Sequence, residues 1–194
     1  MSLPRVIGIY SSAPRSGKTT AAQYLKSRWG YQIISFATPM KRMVTQFLHG
    51  MGYAPAEIDH FLTEGKSMRH PKIGVDTRHI LQTLGTEWGR NCIHPEVWVQ
   101  MWERQVMKAL DAGHKVVCDD VRFPNEYRCL RYLPDNEFWV VDRYTARKTT
   151  HSSEGFVEQS SNVLVDRRLD NNGTVEDLQM QIANQRVSHA SNAC

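Results

Sequence analysis

The stretch Arg5–Ala22, RVIGIYSSAPRSGKTTAA, constrains this chain more than any other. Val6, Ile7, Ile9 and Tyr10 make a short apolar run of the kind that becomes a buried parallel strand. Ser11 to Ser16 is a turn-rich loop, and Gly17-Lys18-Thr19-Thr20 leads from it into a helical pattern. Strand, small-residue loop, Gly-Lys-Thr and helix is the order of a phosphate-binding loop, in which backbone N–H groups and a helix N-terminus cradle phosphates. On that reading Ser12, Ala13, Arg15, Ser16, Gly17, Lys18, Thr19 and Thr20 hold the nucleotide cofactor. Lys18 reaches its β- and γ-phosphates, and the Thr19 hydroxyl holds Mg²⁺. The motif G-x-x-x-x-G-K-[ST] wants glycine at its first position, where this chain has Ser12. Glycine serves there because it tolerates unusual backbone angles, so Ser12 predicts a slightly different loop rather than a lost site.

A length of 194 residues suits one domain with a substantial core. Hydrophobic residues at 41% and charged residues at 23% fit a soluble globular protein. No apolar run approaches the ~20 residues of a membrane span. The first apolar run is short and flows directly into Gly-Lys-Thr, so no signal peptide is expected. Cys92, Cys118, Cys129 and Cys194 are scattered without zinc spacing, which points to reduced thiols in a cytoplasm. A net charge of +4, spread along the chain, fits anionic small molecules better than nucleic acid, which asks for a denser basic stripe.

Thr20–Arg28 reads as the helix after the loop, ending near Gly30, and Tyr31–Phe36 as a second strand. Met40–Leu48 resumes helical spacing with Met40, Met43, Val44, Phe47 and Leu48 on one side. Lys41 lies at the start of that helix, just past a strand's C-terminal end, where ligands bind in open α/β sheets. Lys41 is therefore a site candidate. Gly50 to Val75 reads as loop with at most a short helix around Glu57–Phe61, and Lys66, Arg69 and Lys72 are expected to be mobile, solvated charges.

Thr77 is the expected N-cap of a helix through Leu84, closed by Gly85. Arg78 and Gln82, four apart, share one face. With Trp88 and Arg90 they supply guanidinium groups for a phosphate, an amide for a base edge and an aromatic face for stacking. Glu96–Ala112 is the strongest helix pattern, with Pro95 before it and Gly113 after it. Lys115–Cys118 makes a third strand. Asp119 and Asp120 at its end are alternative carboxylates for Mg²⁺ or its bound water, and Arg122 would face phosphate charge.

Another helix opens at Phe123-Pro124-Asn125-Glu126 and runs toward Arg131, and Glu137–Asp142 is a fourth strand. Arg143, Arg147 and Lys148 then punctuate a polar segment reaching Gly155, which fits a lid that closes on ATP and brings arginines to the transferring phosphoryl group. A fifth strand falls at Val163–Val165 or at Arg167–Asn171. Thr174-Val-Glu-Asp177 is a capping box for the last helix.

Several blocks carry a resemblance: Ser-Gly-Lys-Thr-Thr, Phe36-Ala-Thr-Pro-Met-Lys41, Arg78-His-Ile-Leu-Gln-Thr-Leu-Gly-Thr-Glu-Trp-Gly-Arg90, Asp119-Asp-Val-Arg-Phe-Pro-Asn-Glu126, His151-Ser-Ser-Glu154 and Asn171-Asn-Gly-Thr174. In this order, and across nearly the whole chain, the sequence resembles the bacteriophage-type deoxynucleoside monophosphate kinases, within the P-loop nucleoside monophosphate kinases. The resemblance implies an α/β P-loop NTPase fold of three layers, a five-stranded parallel sheet flanked by helices, as one kinase domain over 1–194. It implies a monophosphate-binding region at about 37–96 and a lid at about 143–155. The implied reaction moves the ATP γ-phosphoryl group to a 5′-deoxynucleoside monophosphate with Mg²⁺, in the cytoplasm of an infected bacterium.

On this resemblance the substrate set is Lys41, Arg78, Gln82, Trp88, Arg90, Asp119 and Glu154. Lys18, Arg122, Arg143, Arg147 and Asp120 form the catalytic set, while Thr19 and Asp119 serve the metal. Neither nucleic acid nor membrane is an expected partner, and the assembly is a monomer or a homodimer. The rival readings are a small-molecule kinase like dephospho-coenzyme A kinase and a non-catalytic nucleotide-binding regulator.

Overall fold

Val6–Tyr10 forms β1, and every one of its residues is buried. In this computed structural model, which describes residues 3–144, 157 and 162–184, β1 is joined by β2 (Gln32–Ile33), β3 (Val116–Cys118), β4 (Asn136–Asp142) and β5 (Arg167–Asp170). The helices are α1 (Lys18–Trp29), α2 (Thr38–Gly50), α3 (Pro55–Leu62), α4 (Thr77–Gln82), α5 (Val97–Asp111), α6 (Pro124–Tyr132) and α7 (Val175–Asn184). A π-helix, Thr83–Ile93, lies between α4 and α5. Among the described residues no helix is long and apolar enough to cross a membrane.

The sheet is parallel throughout and its order is β2-β3-β1-β4-β5. Ile7 pairs with Val117 on one side and Glu137 on the other, so β1 is paired along its whole length with β4 and from Val6 to Gly8 with β3. Of the two places expected for the fifth strand, the chain uses Arg167–Asp170. The second strand is shorter than the apolar run that announced it, Gln32–Ile33 only.

One face of the sheet packs Ile7, Ile9, Val117, Trp139 and Val141 against Ala21, Ala22 and Leu25 of α1 and Leu178 and Ile182 of α7. On the other face Leu130 of α6 sits so close to β1 that a Cβ on Gly8 would come within 2.1 Å of Leu130 Cδ1. Glycine at position 8 is what lets that helix lie on the strand. Sheet and helices make the three-layer α/β arrangement expected from the sequence.

Contacts divide the chain into two compact units, one of Met1–Ser35 with Trp102–Cys194 and one of Phe36–Met101. The second unit has its own core of Val44, Leu48, Tyr53, Ile58 and Phe61, with Ile80, Leu81 and Leu84 packed against it. Three expectations are corrected here. Asp76, not Thr77, caps α4, its carboxylate accepting from His79 N–H at 2.8 Å. Thr77 is buried, its hydroxyl 2.9 Å from His70 Nε2. Lys72 is not a free charge: Nζ donates to the carbonyls of Met51 (3.1 Å) and Gly52 (2.6 Å) past the end of α2 and lies 4.5 Å from the Tyr53 ring centroid.

Nor does the helix stop at Gly85. It widens into the π-helix, with Gly85 and Gly89 buried inside it. A Cβ on Gly85 would meet Met40 Sδ at 2.9 Å, and one on Gly89 would meet the Trp98 ring at 2.4 Å. These glycines serve close packing rather than chain reversal.

His70 is fully buried against Tyr53 and Phe61, with ring centroids 5.6 Å and 4.0 Å away. Its Nδ1 has no hydrogen-bond partner among the described residues. Burial holds its pKa below the ordinary value of 6.5, and the nearby Asp76 charge opposes this only in part. The fold therefore favours the neutral ring, and stability falls as pH drops below about 6.5 toward the depressed folded value. Urea unfolding midpoints measured between pH 7.5 and 5 should decline in the wild type, and His70→Phe should flatten that decline.

Candidate active site

The loop after β1 folds around two left-handed residues, Gly17 at φ 103° and Arg15 at φ 57°. Among the described non-glycine residues only Arg15 and Asp135 have positive φ, so Ser12 occupies an ordinary backbone conformation. The first motif position therefore makes no demand for glycine in this loop. Ala13 N–H donates to Ser11 Oγ at 3.3 Å, and Lys18 Nζ folds over the loop to donate to Ala13 carbonyl (3.2 Å) and Ser16 Oγ (3.3 Å). A cavity of about 290 Å³ opens here, lined by Arg15, Ser16, Gly17, Lys18, Thr19, Thr20 and, from the end of β4, Arg143.

Connections leave β1 and β3 in opposite directions, through α1 to β2 and through α6 to β4. The two strands therefore flank a topological switch point, the position at which open α/β sheets hold ligands outside their C-terminal ends. Thr19 from the first turn of α1 and Asp119 from the end of β3 meet there, with Thr19 Oγ1 donating to Asp119 Oδ2 at 2.9 Å. Ser35 Oγ donates to the other carboxylate oxygen at 2.7 Å. Asp120 is turned elsewhere and accepts from the Cys118 thiol at 3.2 Å. Burial, and after it the Asp120 charge, pushes that thiol well above its usual pKa, so it stays protonated as a donor.

The paired hydroxyl and carboxylate suit Mg²⁺. They are hard oxygen ligands, one of them charged, and Mg²⁺ takes one or two carboxylates plus substrate phosphates rather than an all-protein cage. The described residues contain no cluster of three or more His, Cys, Asp or Glu that could hold a metal ion.

Arg122 is exposed beyond β3, and its own backbone N–H donates to Glu126 Oε2 at 2.7 Å. The same oxygen accepts from Phe123 N–H at 3.1 Å, and Glu126 is only 3% exposed. Arg147 and Glu154, with most of the expected lid, lie outside the described residues. In the second unit Lys41 stands in the first turn of α2, and Arg78 and Gln82 are exposed on α4. The π-helix carries Trp88, 44% exposed with its ring centroid 6.3 Å from that of Trp98, and Arg90, whose Nη1 donates to Pro95 carbonyl at 3.2 Å.

A family profile described as Deoxynucleotide monophosphate kinase matches residues 69–182, more than half of the chain. The chain belongs to the deoxynucleotide monophosphate kinase family. A protein of Acanthamoeba polyphaga mimivirus, itself provisionally described as a deoxynucleotide monophosphate kinase, is 31% identical over 179 residues, covering 86% of this chain and 89% of that protein. The deoxynucleoside-5′-monophosphate kinase of Escherichia phage T5 is 36% identical over 70 residues, 36% of this chain and 27% of its own. Among solved structures, a sugar kinase from Janibacter sp. HTCC2649 aligns over 98% of this chain and 99% of its own at 14% identity and a TM-score of 0.48. The dephospho-CoA kinase of Campylobacter jejuni aligns over 96% and 98% at 13% identity and a TM-score of 0.48.

Three residues that brace the candidate site escaped the sequence reading: Ser35, Glu126 and Asn171. Ser35 has no local signal, because it reaches Asp119 only through the pairing of β2 with β3. Glu126 had one, since a Glu three residues after Phe123 is the acidic half of a capping box. Asn171 is buried and its Nδ2 donates to Ser16 carbonyl at 2.7 Å, a contact 155 residues apart in sequence.

Glu126→Ala leaves two backbone donors short of a charged acceptor and should cost about 2 kcal/mol in urea unfolding, with Glu126→Gln recovering part of it. Ser12→Gly should leave nucleotide affinity, measured by calorimetry, within about twofold of wild type.

Proposed function

We propose that this chain transfers the γ-phosphoryl group of ATP to the 5′-phosphate of a deoxynucleoside monophosphate, giving ADP and the deoxynucleoside diphosphate. The observation that carries the reading is the meeting of Thr19 Oγ1 with Asp119 Oδ2 at 2.9 Å beside the cavity that Lys18 and Arg143 line. A phosphate oxygen of the acceptor attacks the γ-phosphorus while the bond to the β–γ bridging oxygen breaks. The second pKa of a phosphate monoester is about 6, so the attacking oxygen is already largely ionised at neutral pH. No general base is required. Positioning and neutralisation of charge do the work instead.

Each group in the first unit then has a task. Lys18 Nζ exchanges its bonds to Ala13 and Ser16 for the β- and γ-phosphate oxygens. Thr19 and Asp119 would hold Mg²⁺, which would neutralise phosphate charge. Ser35 keeps Asp119 aimed at Thr19. Arg15 and Arg143 bring two guanidinium groups to the cavity wall, and Arg122 and Arg147 add charge for the transition state. Asp120 keeps a supporting place through Cys118.

The acceptor falls to Lys41, Arg78, Gln82, Trp88 and Arg90, with Glu154. The guanidinium groups clasp its phosphate, Gln82 reads a base edge and Trp88 offers a stacking face. On this proposal the chain is one kinase domain with its acceptor region at about 37–96 and a lid at about 143–155, working in a cytoplasm.

A panel of the common dNMPs and NMPs with ATP–Mg²⁺, and dephospho-coenzyme A as a separate arm, should give diphosphate from at least one dNMP. Lys18→Ala should lower turnover on the order of a thousandfold. Product from dephospho-coenzyme A alone, or full turnover by Lys18→Ala, would overturn the assignment.

A further inference from the structure

We infer that Asn171, with Asn172 beside it, is a positioning residue for the donor nucleotide. From one corner of the fold, the turn between β5 and α7, this pair sets both the phosphate loop and the backbone that presents Arg143. The inference rests on the phosphoryl-transfer reading above, but its main test needs no acceptor.

Asn171 leaves β5 with its backbone N–H on Asp142 carbonyl at 2.8 Å, and its side chain turns inward, only 6% exposed. Nδ2 donates to Ser16 carbonyl at 2.7 Å. That carbonyl shares a planar trans peptide with Gly17 N–H, so the two point in opposite directions. Holding the Ser16 carbonyl on a buried amide therefore turns Gly17 N–H away from Asn171 and keeps it as a phosphate donor. Were the carbonyl released, the peptide could rotate and present an oxygen to the phosphates.

Space enforces the same arrangement. A Cβ on Gly17 would lie 2.3 Å from Asn171 Nδ2, so the amide fills the volume that the glycine leaves open. An amide is also the right group by charge. A carboxylate has no N–H for the Ser16 carbonyl and would place a negative charge behind the loop.

Asn172 acts on the other wall of the cavity. Its Oδ1 accepts from Tyr144 N–H at 2.6 Å, and its own N–H donates to Asp170 Oδ1 at 2.9 Å. Tyr144 directly follows Arg143, so the guanidinium that lines the cavity and the loop that faces it are fixed by adjacent residues.

The test measures ATP–Mg²⁺ affinity by calorimetry, the thermal midpoint, and KM for ATP and for the acceptor separately. Asn171→Ala should weaken ATP about tenfold, leaving the acceptor KM unchanged, and Asn171→Asp should weaken it further. Asn172→Ala, on an exposed side chain, should fold normally and lower kcat severalfold while ATP affinity is retained. If Asn171→Ala does not fold, Asn171→Ser takes its place in the same comparison.

Wild-type ATP affinity in the Asn171 variant overturns the inference. So does a loss of ATP and acceptor affinity in equal proportion, which marks a structural role only. An unchanged kcat in Asn172→Ala overturns the tie to Arg143. A wild-type chain that does not bind ATP overturns the phosphate-loop reading itself and this inference with it, whereas a wild type that binds ATP beside an unaffected variant overturns this inference alone.

Discussion

The parallel ladder on both edges of β1 is the constraint from which the rest follows. A strand buried from Val6 to Tyr10, paired with β3 and β4 at once, leaves the chain one direction in which to emerge. The loop must then begin where β1 ends, outside the sheet, and α1 must return across the face formed by Ile7 and Ile9. Because Gly8 pairs with Cys118, the last residue of β3, the chain leaves β3 as Asp119 alongside the C-terminal end of β1. Asp119 is therefore delivered to the loop by strand register rather than by any property of its own sequence neighbourhood.

Strain and its compensation are concentrated in that loop. A left-handed conformation costs a non-glycine residue about 1–2 kcal/mol, and Arg15 adopts it. Gly17 takes the same kind of conformation without the Cβ penalty. What holds the loop in this shape comes from far along the chain: the Asn171 amide behind Ser16 and the Asp119 carboxylate in front of Thr19. On the proposed reading, a loop braced this way keeps its backbone donors oriented before any ligand arrives, and Lys18 is the group that has to change partners.

Much of this was legible in the residues. Apolar runs located β1, β3 and β4 because a doubly covered parallel strand has to be apolar nearly throughout. Thr174 and Asp177 announced the start of α7, and their reciprocal bonds, Thr174 N–H to Asp177 Oδ2 at 2.8 Å and Asp177 N–H to Thr174 Oγ1 at 3.1 Å, are local. What the sequence hid is non-local. The choice between Asp119 and Asp120 depends on which of two adjacent side chains meets Thr19 across the sheet. Lys72 looked like a loop charge because the carbonyls it satisfies belong to Met51 and Gly52, some twenty residues earlier. Gly85 followed a helical pattern as a stop signal does, yet the π-helix runs on through it, with Met40 close against its Cα and Trp98 Nε1 on its carbonyl.

The π-helix gives the Leu-Gly-Thr-Glu-Trp-Gly-Arg block a physical meaning that a motif alone does not. Gly85 and Gly89 are buried at four-residue spacing, and Trp98 Nε1 donates to Gly85 carbonyl at 2.8 Å, so these positions serve packing. Glu87 and Trp88 are exposed between them, and Arg90 follows. Two requirements are thus interleaved in one short segment: every residue that must be small faces the core, and the residues with charge or a large aromatic face lie outside it. Substituting a glycine would displace the helix and with it every exposed group, whereas substituting Trp88 changes a half-exposed ring and its contact with Trp98. A block that must satisfy both demands at once tolerates few alternatives. That makes it more diagnostic than the Gly-Lys-Thr loop, whose first motif position holds Ser12 in an ordinary backbone conformation.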